Sequence, residues 1–221
     1  FYALPVISPL IPALAITLIP FSPEWVMFRA GGLGLPLFLA IASITPVPIF
    51  LIGWASNNKF TLISCLRTAY LFISAEIPLF LSAVSVAALA GTFDLVEIVE
   101  AQAEMWFIVP QIIGFIVFFV GILAESERVP FDIPVAEQEI VLGWRTEFTG
   151  ILFGLTMMTE YVSLCAWSLL LVTLYLGGYQ GPMIFGSPLA SQIAWVLIKL
   201  GVVVAIIILL RTVFPRLRID P

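Results

Sequence analysis

The sequence predicts an all-α integral membrane protein, a multi-helix transmembrane bundle in one domain over residues 1–221, and three observations carry that expectation. Hydrophobic residues make up 62% of the 221 and charged residues only 10%, whereas about a quarter of a soluble domain is charged. Charge is absent from long stretches: ahead of Glu24, between Arg29 and Lys59, between Glu104 and Glu125, and between Glu160 and Lys199. Each stretch can supply the roughly 20 residues of helix that cross a hydrocarbon core. The stretches are continuously apolar rather than alternating, so their backbone polar groups must be satisfied inside helices and not in a barrel.

Taken in order, the apolar stretches place about six spans: Tyr2 to Phe21, Leu33 to Trp54, Thr61 to Ala90, Met105 to Leu123, Thr149 to Leu176 and Ala190 to Thr212. The first lacks a basic leader and a small-residue cleavage site, so it reads as a span and not a secretory signal. The chain opens on Phe1 rather than Met, and the native start is expected upstream. Pro12, Pro46, Pro48 and Pro78 fall inside spans, where neighbouring helices must re-satisfy the carbonyls they free, and kinked helices are expected. Cys65 and Cys165 sit in separate apolar segments and histidine is absent, a pattern that indicates no disulfide framework and no metal or haem site.

With alternating sides, Lys59, Arg128, Arg145, Arg211, Arg216 and Arg218 share one face, and Arg29 alone lies on the other. The positive-inside rule makes the first face cytoplasmic, which gives a multi-pass protein of an energy-conserving membrane, the prokaryotic plasma membrane, with an acidic cytoplasmic loop over 124–146. The formal charge of −5 says less than this placement. On the outer side, within 92–104, Asp94, Glu97, Glu100 and Glu104 recur at helical spacing, which reads as a short amphipathic surface helix with a solvated acidic stripe.

Glu76 in LFISAEIPLF and Glu160 in LTMMTEYVSL lie deep in apolar runs, where a carboxylate is costly unless it meets a partner, meets water or stays protonated. Arg67 and Lys199 are basic counterparts. The stretch ESERVPFDIPVAEQEIVLGWRTEF sets Glu125, Glu127, Asp132, Glu137, Glu139 and Glu147 against Arg128 and Arg145. Pro134 suits the first turn of a helix that Asp132 can cap. So many acids beside apolar spans repel one another, which moves some of them toward exchanging protons at neutral pH. A structural ion pair or a solvated loop is the plainer explanation of each residue alone. Their coincidence favours a proton path.

At this point the residues resemble a known family, the membrane subunit called H in bacterial complex I and subunit 1 in mitochondria, with archaeal coenzyme F420-dependent and ferredoxin-dependent relatives. GWASNNKF (53–60), LRTAYLFISAEIPL (66–79), VEAQ (99–102), AESERVPFDIPVAEQEIVLGWRTEFTG (124–150), MTEY (158–161) and RTVFPRLRID (211–220) follow in the family's order across nearly the whole chain. The resemblance implies a subunit that docks hydrophilic partners, including the one carrying the terminal iron-sulfur cluster. It further implies that the subunit encloses part of a quinone cavity and begins a chain of acids toward the antiporter-like membrane subunits. By motif position, Glu76 and Glu160 are implied as intramembrane members of that chain. Glu125, Asp132, Glu137, Glu139 and Glu147 are implied to line the cavity and its exit. Arg128 and Phe131 are implied at the quinone cavity, with Lys59 and Arg67 as supporting charge. The chain departs from the family's pattern at Val135, where relatives carry an acid, and at Glu127, where they often carry an uncharged residue. Relatives also have an earlier helix with an amphipathic segment at the quinone entrance, and a further helix after RLRID.

The implied activity is that of a subunit, without the catalytic redox centres, of an ion-translocating oxidoreductase that passes electrons from NADH, reduced F420 or ferredoxin to a quinone. The carrier would be ubiquinone, menaquinone or methanophenazine, held at the interface with partner subunits, and this chain alone binds no cofactor. Lipid is the other expected partner, and nucleic acid is not one. Two competing readings stand beside it: the equivalent subunit of a membrane-bound hydrogenase, which needs no quinone, and a secondary transporter, against which the absence of an internal repeat counts.

Overall fold

A computed structural model of the chain describes residues 2–28, 31–132, 143–183 and 187–215. Among these residues every regular element is helical. The first expected span is two short helices, α1 (Leu4–Ile7) and α2 (Leu10–Ile16), separated at Ser8 and Pro9. The second is α3 (Gly34–Ala42) and α4 (Pro46–Ser56). Pro46 opens α4, where a missing N–H costs least, so the prolines expected to kink this span instead divide it at residues 43–45. Next comes α5 (Lys59–Ala90), which Asn58 caps by accepting from the Phe60 amide at 3.1 Å and which Gly91, at φ +74°, ends. Pro78 lies inside α5 without stopping it.

The remaining elements are α6 (Leu95–Ala101), α7 (Ile112–Glu125), a one-turn 3-10 helix (Gly143–Arg145), α8 (Ile151–Tyr175) and α9 (Pro188–Val213). The fourth span was expected from Met105, but α7 starts only at Ile112, because residues 107–111 form turns around Pro110, which cannot donate to a helical ladder. Among the described residues, four stretches are long and apolar enough to cross a membrane: Gly34–Ser56, Lys59–Ala90, Ile151–Tyr175 and Pro188–Val213; Leu4–Ile16 and Ile112–Glu125 are shorter apolar helices. These six stretches correspond to the six expected spans.

The main core joins α3, α5, α7 and α8. Phe38, Phe118 and Trp167 meet edge to face, with ring centroids 5.6 Å apart for Phe38–Trp167 and 6.2 Å for Phe118–Trp167, the arrangement aromatic quadrupoles favour. Close helix approach explains two glycines: a β-carbon on Gly121 of α7 would clash with Leu79 of α5, and one on Gly53 of α4 with Cys65 of α5. A second, smaller apolar cluster of Ile49, Ile52, Cys65, Phe72, Trp144 and Phe148 closes one end of the bundle. The α4–α5 turn, the end of α7 and the start of α8 meet at that end.

Backbone groups are tied by polar side chains at the opposite end. Gln102 donates to the Thr173 carbonyl at 2.9 Å and accepts from the Gly177 amide at 2.9 Å. Lys199 of α9, 7% exposed, donates to the carbonyls of Leu176, Gly178 and Gln180 at 2.7, 2.9 and 2.8 Å and lies 4.9 Å from the centroid of the Trp106 ring. A cation on carbonyls at a helix C-terminus sits where the helix dipole favours it. The acidic stripe is shorter than the spacing suggested: Asp94 is withdrawn to cap α6 on the Val96 amide, Glu97 and Glu100 are exposed, and Glu104 lies beyond the helix end.

Candidate functional site

The site forms where α7 ends. Its last carbonyls are closed by a Glu127 amide to Ala124 bond and an Arg128 amide to Leu123 bond, each 3.2 Å, the double closure in which the residue past the cap takes left-handed backbone and is usually glycine. Here that residue is Glu127, at φ +49°. A β-carbon in this conformation costs roughly 1–2 kcal/mol, so the side chain is held there by what it meets. It points inward, 5% exposed, and its carboxylate accepts from the Trp144 indole at 3.4 Å and lies 3.6 Å from the Arg145 guanidinium.

Gly143, at φ +64°, turns the chain into the 3-10 helix that delivers Trp144 and Arg145 to this point. Arg145, 2% exposed, lies 4.7 Å from the Trp144 ring centroid and donates to the Met157 sulfur at 3.3 Å. The same guanidinium nitrogen that faces Glu127 makes the closer ion pair with Glu160 of α8. Arg128 approaches the other Glu160 oxygen at 3.9 Å and lies 4.6 Å over the Tyr161 ring. Two guanidinium groups thus converge on Glu160 and one of them is shared with Glu127.

Burial pushes the Glu127 carboxyl above its ordinary value, against the opposing pull of Arg145 and the Trp144 hydrogen bond. The Arg145 guanidinium is lowered by the same desolvation, which Glu127 opposes.

Glu125, the last residue of α7, is 1% exposed, and neither of its oxygens has a hydrogen-bond partner among the described residues. Glu76 of α5 is half-buried, with one oxygen likewise unmatched, and its charge acts on Glu125. Beside Glu125 lies a cavity of about 10 Å³, room for about one water molecule. Glu125, Glu127 and Glu160 line it with the hydroxyl residues Thr45, Thr159 and Ser163.

Asp132 is near enough to act on both Glu127 and Arg145. Phe131 packs on the main core and borders a groove between α5 and α7 with Ser74, Pro78, Val120 and Gly121. Glu147 and Lys59 stand apart from the cluster. Glu147 is exposed and accepts from the Asn58 side chain at 2.6 Å. Lys59 is exposed at the first turn of α5, and Arg67 is half-buried on the same helix. Glu137 and Glu139, with Pro134 and Val135, lie outside the described residues.

A family model described as NADH dehydrogenase matches residues 1–221. The chain belongs to the NADH dehydrogenase family. Proteins named as the H subunit of NADH-quinone oxidoreductase from Bacillus mycoides (strain KBAB4), Geobacillus sp. (strain WCH70) and Bacillus cereus (strain B4264) are each 39% identical to it over 220 residues. These relatives are matched over 65% of their own length, so the chain spans a little under two thirds of them.

For this NADH dehydrogenase family member, reading the residues alone missed Arg145 and Trp144 as parts of the site. Both sit in an irregular segment where no periodicity indicates the direction of a side chain. One signal was present: a carboxylate at 127 and a guanidinium at 145 flank the same acidic loop, and two opposite charges bordering lipid invite pairing.

Proposed function

We propose that this chain is the membrane subunit, of the H type, of a complex I-like NADH:quinone oxidoreductase, in which it begins the ion-translocating path and encloses part of the quinone cavity. One observation supports this best: Glu125 at the end of α7 and Glu160 of α8 converge with Glu127 on a water-sized cavity at one end of an apolar bundle, and Glu76 of α5 is near enough for its charge to act on Glu125. Carboxylates in such surroundings are costly, and they are retained where charge or protons must cross. Two of them are balanced by Arg128 and Arg145, while Glu125 faces the cavity without a hydrogen-bond partner among the described residues. That arrangement suits stepwise transfer, in which one carboxyl carries the proton while its neighbours stay charged.

In this reading the end of the bundle holding the cluster faces the cytoplasm of a prokaryotic cell, where the acidic loop meets the hydrophilic subunit carrying the terminal iron-sulfur cluster. Ubiquinone, menaquinone or methanophenazine is reduced at that junction, with the redox centres on the partner subunits. Arg128 and Phe131 belong to the cavity wall, and Lys59 and Arg67 supply supporting charge. Glu137, Glu139 and Glu147 continue the acidic series toward the exit.

Purifying the tagged chain from its native membrane under mild detergent tests the proposal. The expected result is co-purification of a flavin-bearing NADH module, an iron-sulfur subunit and antiporter-like membrane subunits, with NADH:quinone activity. Recovery with a nickel-iron module, or as a free-standing protein, contradicts it.

A further inference from the structure

The ion path described above uses Arg145 only to balance charge, and the geometry around it calls for more. Arg145 is almost wholly buried at the end of a one-turn 3-10 helix. A single guanidinium nitrogen serves two carboxylates from different helices, Glu160 on α8 and Glu127 at the end of α7. Glu127 occupies a left-handed backbone position that favours glycine, so the backbone there does not select it. The side chain is accounted for by the cation it faces.

Charge balance gives the arrangement its consequence. Two buried carboxylates, Glu125 and Glu127, and the partly buried Glu160 border the cavity, and two guanidinium groups, Arg128 and Arg145, contact the latter two. Those contacts go to Glu160 and Glu127, whereas both Glu125 oxygens lack a hydrogen-bond partner among the described residues. The other charged or titratable groups facing Arg145 are Arg128, Asp132 and Tyr161, and Glu76 faces Glu125.

We propose that Arg145 is a positioning residue of the ion path: it clamps Glu160 and Glu127 together as charge-balanced anions across the α7–α8 junction, leaving Glu125 as the carboxyl that takes up and releases the proton. This rests on the ion-path reading above. Arg145 does not itself exchange a proton; it sets which acid does. A guanidinium suits the task because it stays charged where a buried ammonium more readily loses its proton.

Five variants, Arg145→Gln, Arg145→Lys, Glu127→Gln, the double Glu127→Gln/Arg145→Gln and Glu160→Gln, are compared in the assembled complex in its own membranes. Quinone reduction is measured against pH and normalised to assembled complex. Arg145→Gln is expected to lower turnover by at least about tenfold, the lower part of what a positioned proton-transfer group contributes. The acid limb of its pH profile should move upward by about one unit, the scale of one neighbouring charge. Arg145→Lys keeps the charge and should retain the parental pH profile at reduced turnover. The double variant removes both members of one ion pair, so it guards against loss of assembly from an unpaired buried charge. It should stay impaired and pH-shifted, because Glu160 still lacks its cation. A double variant with parental turnover and pH profile, beside an impaired Glu160→Gln, overturns the positioning role and leaves the ion path standing. Parental activity in Glu160→Gln removes Glu160 from the ion path, and the positioning role of Arg145 with it.

Discussion

Arg145 and Glu160 form a buried ion pair that fastens the turn leading into α8 onto the first half of α8 itself. Neither residue is explained by the apolar packing around it. Removing one partner of a buried pair leaves an uncompensated charge and typically costs about 3–5 kcal/mol. Trp144, 1% exposed, shields the pair on one side and Met157 touches it on the other. The ion pair is therefore part of the bundle's interior.

The left-handed backbone at Glu127 gives a prediction that separates backbone strain from charge. Asn tolerates this conformation better than Gln, so Glu127→Asn should be more stable than Glu127→Gln by up to about 1 kcal/mol. The melting temperatures of the two purified variants check this directly. Equal melting temperatures would mean that the backbone at 127 carries no strain.

Glu127 also sets a pH dependence. Burial holds its folded-state value above the ordinary carboxylate value of 4.5. At pH below that ordinary value the group is protonated in both states and costs nothing. As pH rises above it, the unfolded chain ionises first and stability falls, until the higher folded-state value is passed. Glu127→Gln should flatten this part of the stability curve above about pH 4.5. Thermal melts of parent and variant across pH 4–8 read the difference, and parallel curves would contradict it.

Much of this was legible before any geometry. The apolar runs indicated six helical stretches, and Glu76 and Glu160 stood out because acids are rare in such runs. What the runs do not encode is irregular backbone. The division at Ser43–Thr45 depends on Pro46 opening a new helix rather than bending an old one, and both outcomes agree with the same composition. Glu147 reads as another acid in a dense acidic stretch, yet past the 3-10 turn it faces Asn58. Arg145 and Glu160 are brought together only because Gly143 turns the chain inward, a consequence of backbone conformation at one residue. Lys199 belongs to the same class, since the carbonyls it meets come from a turn and not from a motif.

Lys199 offers a prediction unrelated to ion transfer. Hydrogen bonds from a charged donor contribute roughly 1.5–3 kcal/mol each, and Lys199→Met would leave the carbonyls of Leu176, Gly178 and Gln180 without that donor. The amount of assembled complex should drop several-fold, while turnover per assembled complex stays at the parental level. Unchanged assembly would show that water replaces the ammonium.

Sidedness is tested with single cysteines at exposed positions. Thr149 and Ala103 are both exposed and lie at opposite ends of the bundle. In sealed right-side-out vesicles of a variant in which Cys65 and Cys165 are replaced, an impermeant maleimide should label Ala103→Cys and spare Thr149→Cys. The reverse pattern inverts the topology.

The central claim is that the acid cluster carries ions during quinone reduction, and Glu76→Gln and Glu160→Gln test it most directly. Each keeps size and hydrogen-bonding capacity and removes only the titratable group. Ions translocated per NADH oxidised are measured in sealed membranes, together with assembled amount and NADH oxidation by a water-soluble acceptor. The expected result is assembly sufficient for assay, peripheral NADH oxidation retained, and quinone reduction coupled to ion movement lowered by about tenfold or more. Full coupled activity in both variants would contradict it.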